Sequence, residues 1–136
     1  MITFKQLKEN IDEINETGVG YIISYSLFMI AQMHLWHLLC PTAQQHIALG
    51  EFYDELQSEV DELAERFIAQ GGILSNIIDE PLIANYDEYL VMEKFNQFRN
   101  MVTSAIDTNS RMASIVDGVV DIQELIDNKL YKFKLK

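Results

Sequence analysis

The sequence predicts an all-α protein, an antiparallel four-helix bundle with a long second connection. Apolar residues recur every three or four positions along four long segments, which is the period of an amphipathic helix. No useful length of strand-like alternation is present, and six glycines and two prolines are too few for a turn-rich β fold. At 136 residues the chain is expected to be one domain that buries its own core.

The composition narrows the class of protein further. A net charge of −11 disfavours a general nucleic-acid binder, because phosphates would be repelled, and it suits a protein that collects cations. Cys40 is the single cysteine, which rules out an internal disulfide and fits a reducing compartment. The first residues show no signal-peptide pattern, so a cytoplasmic location is expected.

The N-terminal part of the chain predicts an arm followed by an apolar helix. Residues 1–17 form the arm, a short amphipathic segment, and the first helix of the bundle then runs from about Val19 to Leu39. Residues 19–40 carry no charge and are long enough to span a bilayer. Their serines, glutamine and histidines, and the lack of a flanking basic cluster, favour a helix buried among neighbours, with no membrane partner.

The second helix has clear start and stop signals. Pro41 ends the first helix, and Thr42 is the expected N-cap of a helix that runs to Gln70, where a Gly-Gly pair stops it. Its predicted core stripe consists of Leu49, Phe52, Leu56, Val60, Leu63 and Phe67.

The remaining segments complete the bundle. The connection over residues 71–83 is expected to pack against the helices and has room for a short helix; its length makes it the natural place for a crossover. A third helix is expected over about 84–106 and a fourth helix over about 110–131. A basic tail covers residues 129–136.

All three histidines, His34, His37 and His46, lie within thirteen positions around Pro41. If the first two helices form a hairpin there, His34 and His46 are expected at about the same level, and His34 and His37 share a helix face. A lone histidine on a helix is usually a hydrogen-bonded polar residue that binds no metal. Three so close together favour a metal site, because imidazole binds iron, zinc and copper.

The second helix also carries seven acids between Glu51 and Glu65, a pattern often found on a solvated face. At about 100° per residue, Asp54, Asp61 and Glu65 project within roughly 40° of one another and near the direction of His46. Asp61 and Glu65, one turn apart, are placed to hold one cation between two carboxylates.

These two groups of ligands cannot meet within one chain, because His46 and Asp61 are about 22 Å apart along the helix. A two-fold axis that sets the second helices antiparallel would bring His34 and His46 of one chain against Asp61 and Glu65 of another. The spacing therefore predicts a metal site between two subunits of a homo-oligomer.

With this spacing the chain resembles the Dps miniferritins, the DNA-protecting branch of the ferritin-like superfamily. The resemblance rests on His34, His46, Asp61 and the Glu65-Arg66 pair, on the Gly-Gly pair that follows, and on the helix lengths and long second connection. It implies a ferritin-like fold and a ferroxidase centre between two-fold-related subunits of a dodecameric cage. There Fe(II) is oxidised with peroxide or oxygen; zinc is an alternative metal.

The chain departs from the family pattern at three places. Gly50 stands where the family has an acid four residues after its second histidine, and Glu51 or Asp54 is the expected substitute. The family's tryptophan is displaced to Trp36, and His37 is an additional candidate ligand. A weaker likeness to small ferritin-like proteins encoded by tailed phages fits such a divergence.

The lysines near the C-terminus have two interpretations. In the family, lysine-rich termini often bind DNA. Alternatively, cations at the end of a helix complement its dipole by about 0.3–1 kcal/mol each. The acidic body favours the second interpretation. The lysines are Lys129, Lys132, Lys134 and Lys136.

Two functional hypotheses follow. The first is an iron-binding miniferritin that oxidises Fe(II) at the intersubunit site and sequesters iron in a cage in the cytoplasm. The second is a non-catalytic ferritin-like structural or assembly protein, phage-encoded and found in the host cytoplasm or the virion, which Gly50 favours.

Overall fold

A computed structural model describes residues 18–74, 78–108 and 113–135 of the chain. These residues form four helices and no strand, which confirms the predicted all-α class. The predicted N-terminal arm lies outside the described residues. The helices are α1, α2, α3 and α4, over Val19–Leu39, Ala43–Ala69, Glu88–Thr108 and Ala113–Lys134.

Local hydrogen bonds set the C-terminal end of α2 and the N-terminal end of α3. Beyond α2, the N–H groups of Gly71 and Gly72 donate to the carbonyls of Ile68 and Phe67 at 3.0 and 2.8 Å. This Schellman turn requires the left-handed φ of +85° at Gly71. The third helix begins a turn later than predicted because Asp87 is its cap: Asp87 Oδ1 accepts from the first-turn N–H groups at 2.8 and 3.3 Å.

The helices pack around one apolar core. Helix α2 lies between α1 and α4, while α3 closes the arrangement against α4 and, over a smaller area, against α1. The predicted stripe of α2 is buried from Leu49 to Leu63. The largest fully buried side chains include Trp36, Tyr25, Phe52, Phe95, Phe98 and Phe133.

Neighbouring helices run antiparallel. Between α1 and α3, Tyr25 contacts Phe98 at a ring distance of 5.7 Å, while the later residue Phe28 lies beneath Lys94. Between α2 and α4 the order is also reversed, because Gln45 bonds to Phe133 and Glu51 bonds to Lys129.

The long second connection crosses the full length of the helices before α3 begins. The buried carboxamide of Gln32 donates to the Ile83 carbonyl at 3.0 Å and accepts from the Ile83 N–H at 2.7 Å. One turn later, Trp36 Nε1 donates to the Asn85 carbonyl at 3.0 Å. The end of the connection is thus held beside the α1–α2 turn, so α3 runs parallel to α2. The described parts of the connection contain no helix.

Gln45 joins three parts of the chain at this same end. It is 2% exposed, and its Oε1 accepts from Thr42 Oγ1 at 3.1 Å and from the Tyr86 hydroxyl at 2.9 Å. Its Nε2 donates to the Phe133 carbonyl at 3.3 Å. The Thr42 hydroxyl therefore serves Gln45 and makes no capping bond to the α2 backbone.

Helix α1 is the one helix of the described residues that is long and apolar enough to cross a membrane. Of its apolar window, 56% is buried inside the domain. Packing against α2 and α3 accounts for this apolar composition in the way expected of a core helix.

Replacing Gln45 with alanine is expected to lower the free energy of unfolding by about 2–3 kcal/mol, because several polar groups lose a buried partner. Urea denaturation followed by circular dichroism measures the change. The exposed neighbour Gln44→Ala is the matched control. Equal effects of the two substitutions would contradict the role given to Gln45.

Candidate metal centre

The three histidines lie together on the outer face of the α1–α2 hairpin, but their pairing differs from the prediction. His46 stacks on His37, with ring centroids 3.7 Å apart and planes inclined by 19°. His34 stacks instead on Tyr53, at 4.4 Å. The hairpin is centred just after Pro41, which sets His46 level with His37 rather than with His34. Sequence reasoning missed Tyr53, although it lies on the same face of α2 as His46.

Each ring of the His37–His46 pair is hydrogen-bonded to the backbone of the other residue. His37 Nδ1 donates to the His46 carbonyl and His46 Nδ1 donates to the His37 carbonyl, both at 2.7 Å. A carbonyl oxygen only accepts, so each Nδ1 carries the hydrogen and, in the neutral ring, each Nε2 keeps its lone pair. We call this arrangement the histidine clasp. The His37 carbonyl lies in the last turn of α1, where carbonyls lack a partner within the helix.

The clasp has the hydrogen-bonding pattern of metal-binding histidines. Such residues usually donate their second ring N–H to a carbonyl or carboxylate, which sets the tautomer and the orientation of the ring. Both imidazoles of the clasp already meet this condition, and the ring of His46 is exposed. Each ring can therefore offer its Nε2 to a cation without rearrangement of the backbone.

The position of the His37 ring explains why position 50 carries no side chain. A Cβ atom on residue 50 would lie 2.8 Å from His37 Cε1 and 3.0 Å from His37 Nδ1. An acid at position 50, as in the family pattern, and the clasp are therefore mutually exclusive in this geometry. The glycine at position 50 thus leaves room for the His37 ring in the position that it occupies in the clasp.

Glu51 pairs with lysines of α4, and its suggested role as a substitute acid stays a prediction. Its Oε2 accepts from Lys129 at 3.0 Å and from Lys132 at 3.3 Å, and Lys129 also pairs with Glu55 at 2.8 Å. These hydrogen bonds hold the pKa of Glu51 below its usual value. The Lys129 side chain is only 4% exposed, so this end of the predicted basic tail is part of the α2–α4 contact.

The other predicted ligands lie exposed along α2. Asp54, Asp61 and Glu65 all face solvent, and helical rise places Asp61 about 22 Å from His46. Within residues 18–74, 78–108 and 113–135, no three or more His, Cys, Asp or Glu side chains converge on a point that could hold a metal ion. The described part of a single chain therefore provides histidines and carboxylates separately.

An uncovered neutral stripe adjoins the histidines on α1. Leu27, Ala31, His34 and Leu38 are spaced so that they share one helix face, and all are exposed, Leu27 by 53% and Leu38 by 67%. Helix α1 carries no charge along its entire length. This stripe gives two highly acidic chains a surface on which they can approach without direct charge repulsion.

Together, fold and site define a class of protein: an all-helical domain of four packed helices with an exposed histidine pair whose tautomers are set by the backbone. Comparison with protein-family models, with curated proteins and with solved structures finds no match to this chain.

The clasp predicts an unusual response to substitution of Gly50. Gly50→Ala should raise helix propensity by about 1 kcal/mol, but displacement of the His37 ring is expected to cost more, with a net loss of about 1–2 kcal/mol. The double variant His37→Ala, Gly50→Ala removes the clash and should recover the gain in propensity. Urea denaturation of the wild type, of the single variants Gly50→Ala and His37→Ala, and of the double variant gives the coupling energy. A single variant more stable than the wild type would refute the steric argument.

The Glu51 ion pairs predict a pH-dependent contribution to stability. Because the pKa of Glu51 is lowered in the folded state, its contribution is complete above the ordinary carboxyl pKa and is lost as the pH falls through the lowered value. Glu51→Gln should therefore lower the free energy of unfolding at neutral pH but have little effect at an acidic pH below the lowered pKa. Urea denaturation at both pH values tests this, with the exposed Asp54→Asn as control. An equal loss at both pH values would contradict it.

Proposed function

We propose that this protein is a ferritin-like four-helix bundle that self-associates and binds Fe(II) as its substrate at a site shared by two chains. The observation that carries the proposal is the histidine clasp, in which two imidazoles are held in the tautomer that leaves Nε2 available for a metal. Imidazole is a suitable ligand for iron, and zinc would compete for the same nitrogen atoms.

The architecture supports the ferritin-like assignment. All neighbouring helices are antiparallel, and the second connection crosses from one end of the helices to the other, where Gln32 holds it. A long second connection of this kind is what the resemblance to the miniferritins implies. The dodecameric cage and the cytoplasmic location remain predictions of that resemblance.

The second chain is required because the carboxylates lie too far from the clasp. A two-fold axis perpendicular to the helices, with the α1–α2 hairpins face to face and antiparallel, would set His37 and His46 of one chain against Asp61 and Glu65 of the other. Such an interface creates two equivalent sites at once. The neutral stripe on α1 is the surface that this pairing would cover.

In this proposal the side chains hold the iron ion, and the iron itself undergoes the oxidation. The imidazoles bind Fe(II), and the hard carboxylate oxygens of Asp61 and Glu65 suit the Fe(III) that forms when dioxygen or peroxide removes an electron. The net charge of −11 raises the local concentration of cations at the surface. DNA binding is not part of the proposal, because Lys129 and Lys132 are paired with glutamates.

A second candidate function is a non-catalytic assembly protein, with the phage origin suggested above. Two observations favour it. The ring of His37 excludes an acid at position 50, and Glu51 is committed to α4. Both remove carboxylates from the neighbourhood of the histidines. Such a protein would assemble without working catalysis, and a metal-free assembly that takes up no iron would favour it.

The shared site can be tested by mixing variants. Wild-type protein is expected to bind about one Fe(II) per chain under anaerobic conditions, measured by equilibrium dialysis, and His46→Ala and Asp61→Ala should each abolish binding. Mixed after co-refolding, the two variants should regain one of the two sites in each hybrid pair, because one His46 then faces an intact Asp61. Glu124→Ala, an exposed acid on α4, is the control.

The outcomes separate the candidates. No iron binding by the wild type, or full binding by the double variant His46→Ala, Asp61→Ala, would refute the proposal. Lack of recovery in the mixture would refute the two-chain site. Admission of air followed by the absorbance of Fe(III) distinguishes an oxidising protein from one that only binds iron.

A further inference from the structure

We infer that His34 contributes to a second metal site, separate from the clasp, in which the His34 side chains of two chains bind one divalent transition-metal ion at the two-fold axis. The inference rests on the proposed two-fold pairing and extends it. The observation behind it is the unexpected partner of His34: the ring stacks on Tyr53, whereas His46 is occupied by His37.

The position of the axis follows from the proposed pairing. If His46 of one chain faces Asp61 of the other along antiparallel α2 helices, the axis crosses α2 midway between them, beside Tyr53 and Asp54. A residue at this level faces its own copy across the axis. Because His34 lies in ring contact with Tyr53, His34 of one chain would meet His34 of the other.

The chemistry of His34 suits this position. Its side chain is exposed on the neutral stripe, and within the described residues no hydrogen bond ties either ring nitrogen to another group. Stacking on Tyr53 orients the ring while leaving its nitrogen atoms at the edge. Two imidazoles, one from each chain, with water in the remaining positions, bind Zn(II), Co(II), Ni(II) or Cu(II).

Such an ion would act on assembly. An ion held by two chains binds the pair and not the separate chains, so it strengthens association by mass action. The ion between the two His34 side chains would hold the neutral stripes of the two chains together, while iron binds at the clasp, farther along the helices. A metal ion at either site would favour pairing, and the His34 site adds a contribution that does not depend on the clasp.

The test is analytical ultracentrifugation of chelator-treated full-length protein with and without Zn(II). Zn(II) is expected to tighten the dissociation constant of the wild-type pair about tenfold or more. His34→Gln should clearly weaken this effect, leaving only the share that comes from zinc bound at the clasp, while keeping Fe(II) binding. Gln57→Ala, an exposed residue one turn beyond Tyr53, should keep both. His34 is exposed, so folding of the variant is expected to be normal, which circular dichroism checks.

Every outcome is decisive. An undiminished zinc effect in His34→Gln, or no zinc effect in the wild type, would overturn the second site. Loss of both zinc-dependent pairing and Fe(II) binding in His34→Gln would also overturn it, because His34 would then belong to a single shared site. If the wild type binds no Fe(II), the proposed function fails, while a His34-dependent effect of Zn(II) would still stand on its own.

Discussion

The histidine clasp is the interaction on which the functional face of this protein depends. Two ring-to-carbonyl hydrogen bonds at 2.7 Å align α1 with α2, so they determine which residues face one another along the hairpin. Three consequences follow from this one alignment. The His37 ring occupies the space above Gly50, both Nε2 atoms are left available, and His34 is placed beside Tyr53.

Five of the seven acids of α2 fall into two groups with different electrostatic surroundings. Glu51 and Glu55 turn toward α4, where they neutralise the buried ammonium group of Lys129. A buried charge is strongly unfavourable unless it is paired, so these two acids serve the fold. Asp54, Asp61 and Glu65 point away from that contact into solvent. Within this second group, Asp61 and Glu65 lie beyond the reach of the histidines of the same chain.

In the proposed function, the separation of histidines from carboxylates makes metal binding depend on association of two chains. Histidines at one end of the hairpin and carboxylates at the other are complementary halves only across a two-fold axis. The uncharged surface of α1 lies between them, where contact between two acidic chains costs least. The ferritin-like proposal and the assembly-protein alternative both use such an association, and they differ in whether iron is taken up and oxidised there.

The sequence by itself determined the helices, the core and the gathering of histidines near one turn. Those features depend on local periodicity and on capping residues, as the correct limits of α1 and the buried stripe of α2 show. The start of α3 was misplaced because Asp87 caps the helix in competition with a continuous helical pattern upstream. Only the tertiary structure shows that His46 stacks on His37 and that the His37 ring fills the space beside Gly50. Likewise, only the tertiary structure shows that Glu51 pairs with Lys129 and that Gln32 and Gln45 hold the end of the crossover in place. Each of these pairings joins different elements of the chain, and its geometry depends on how side chains of particular shapes fit together, which no local spacing encodes.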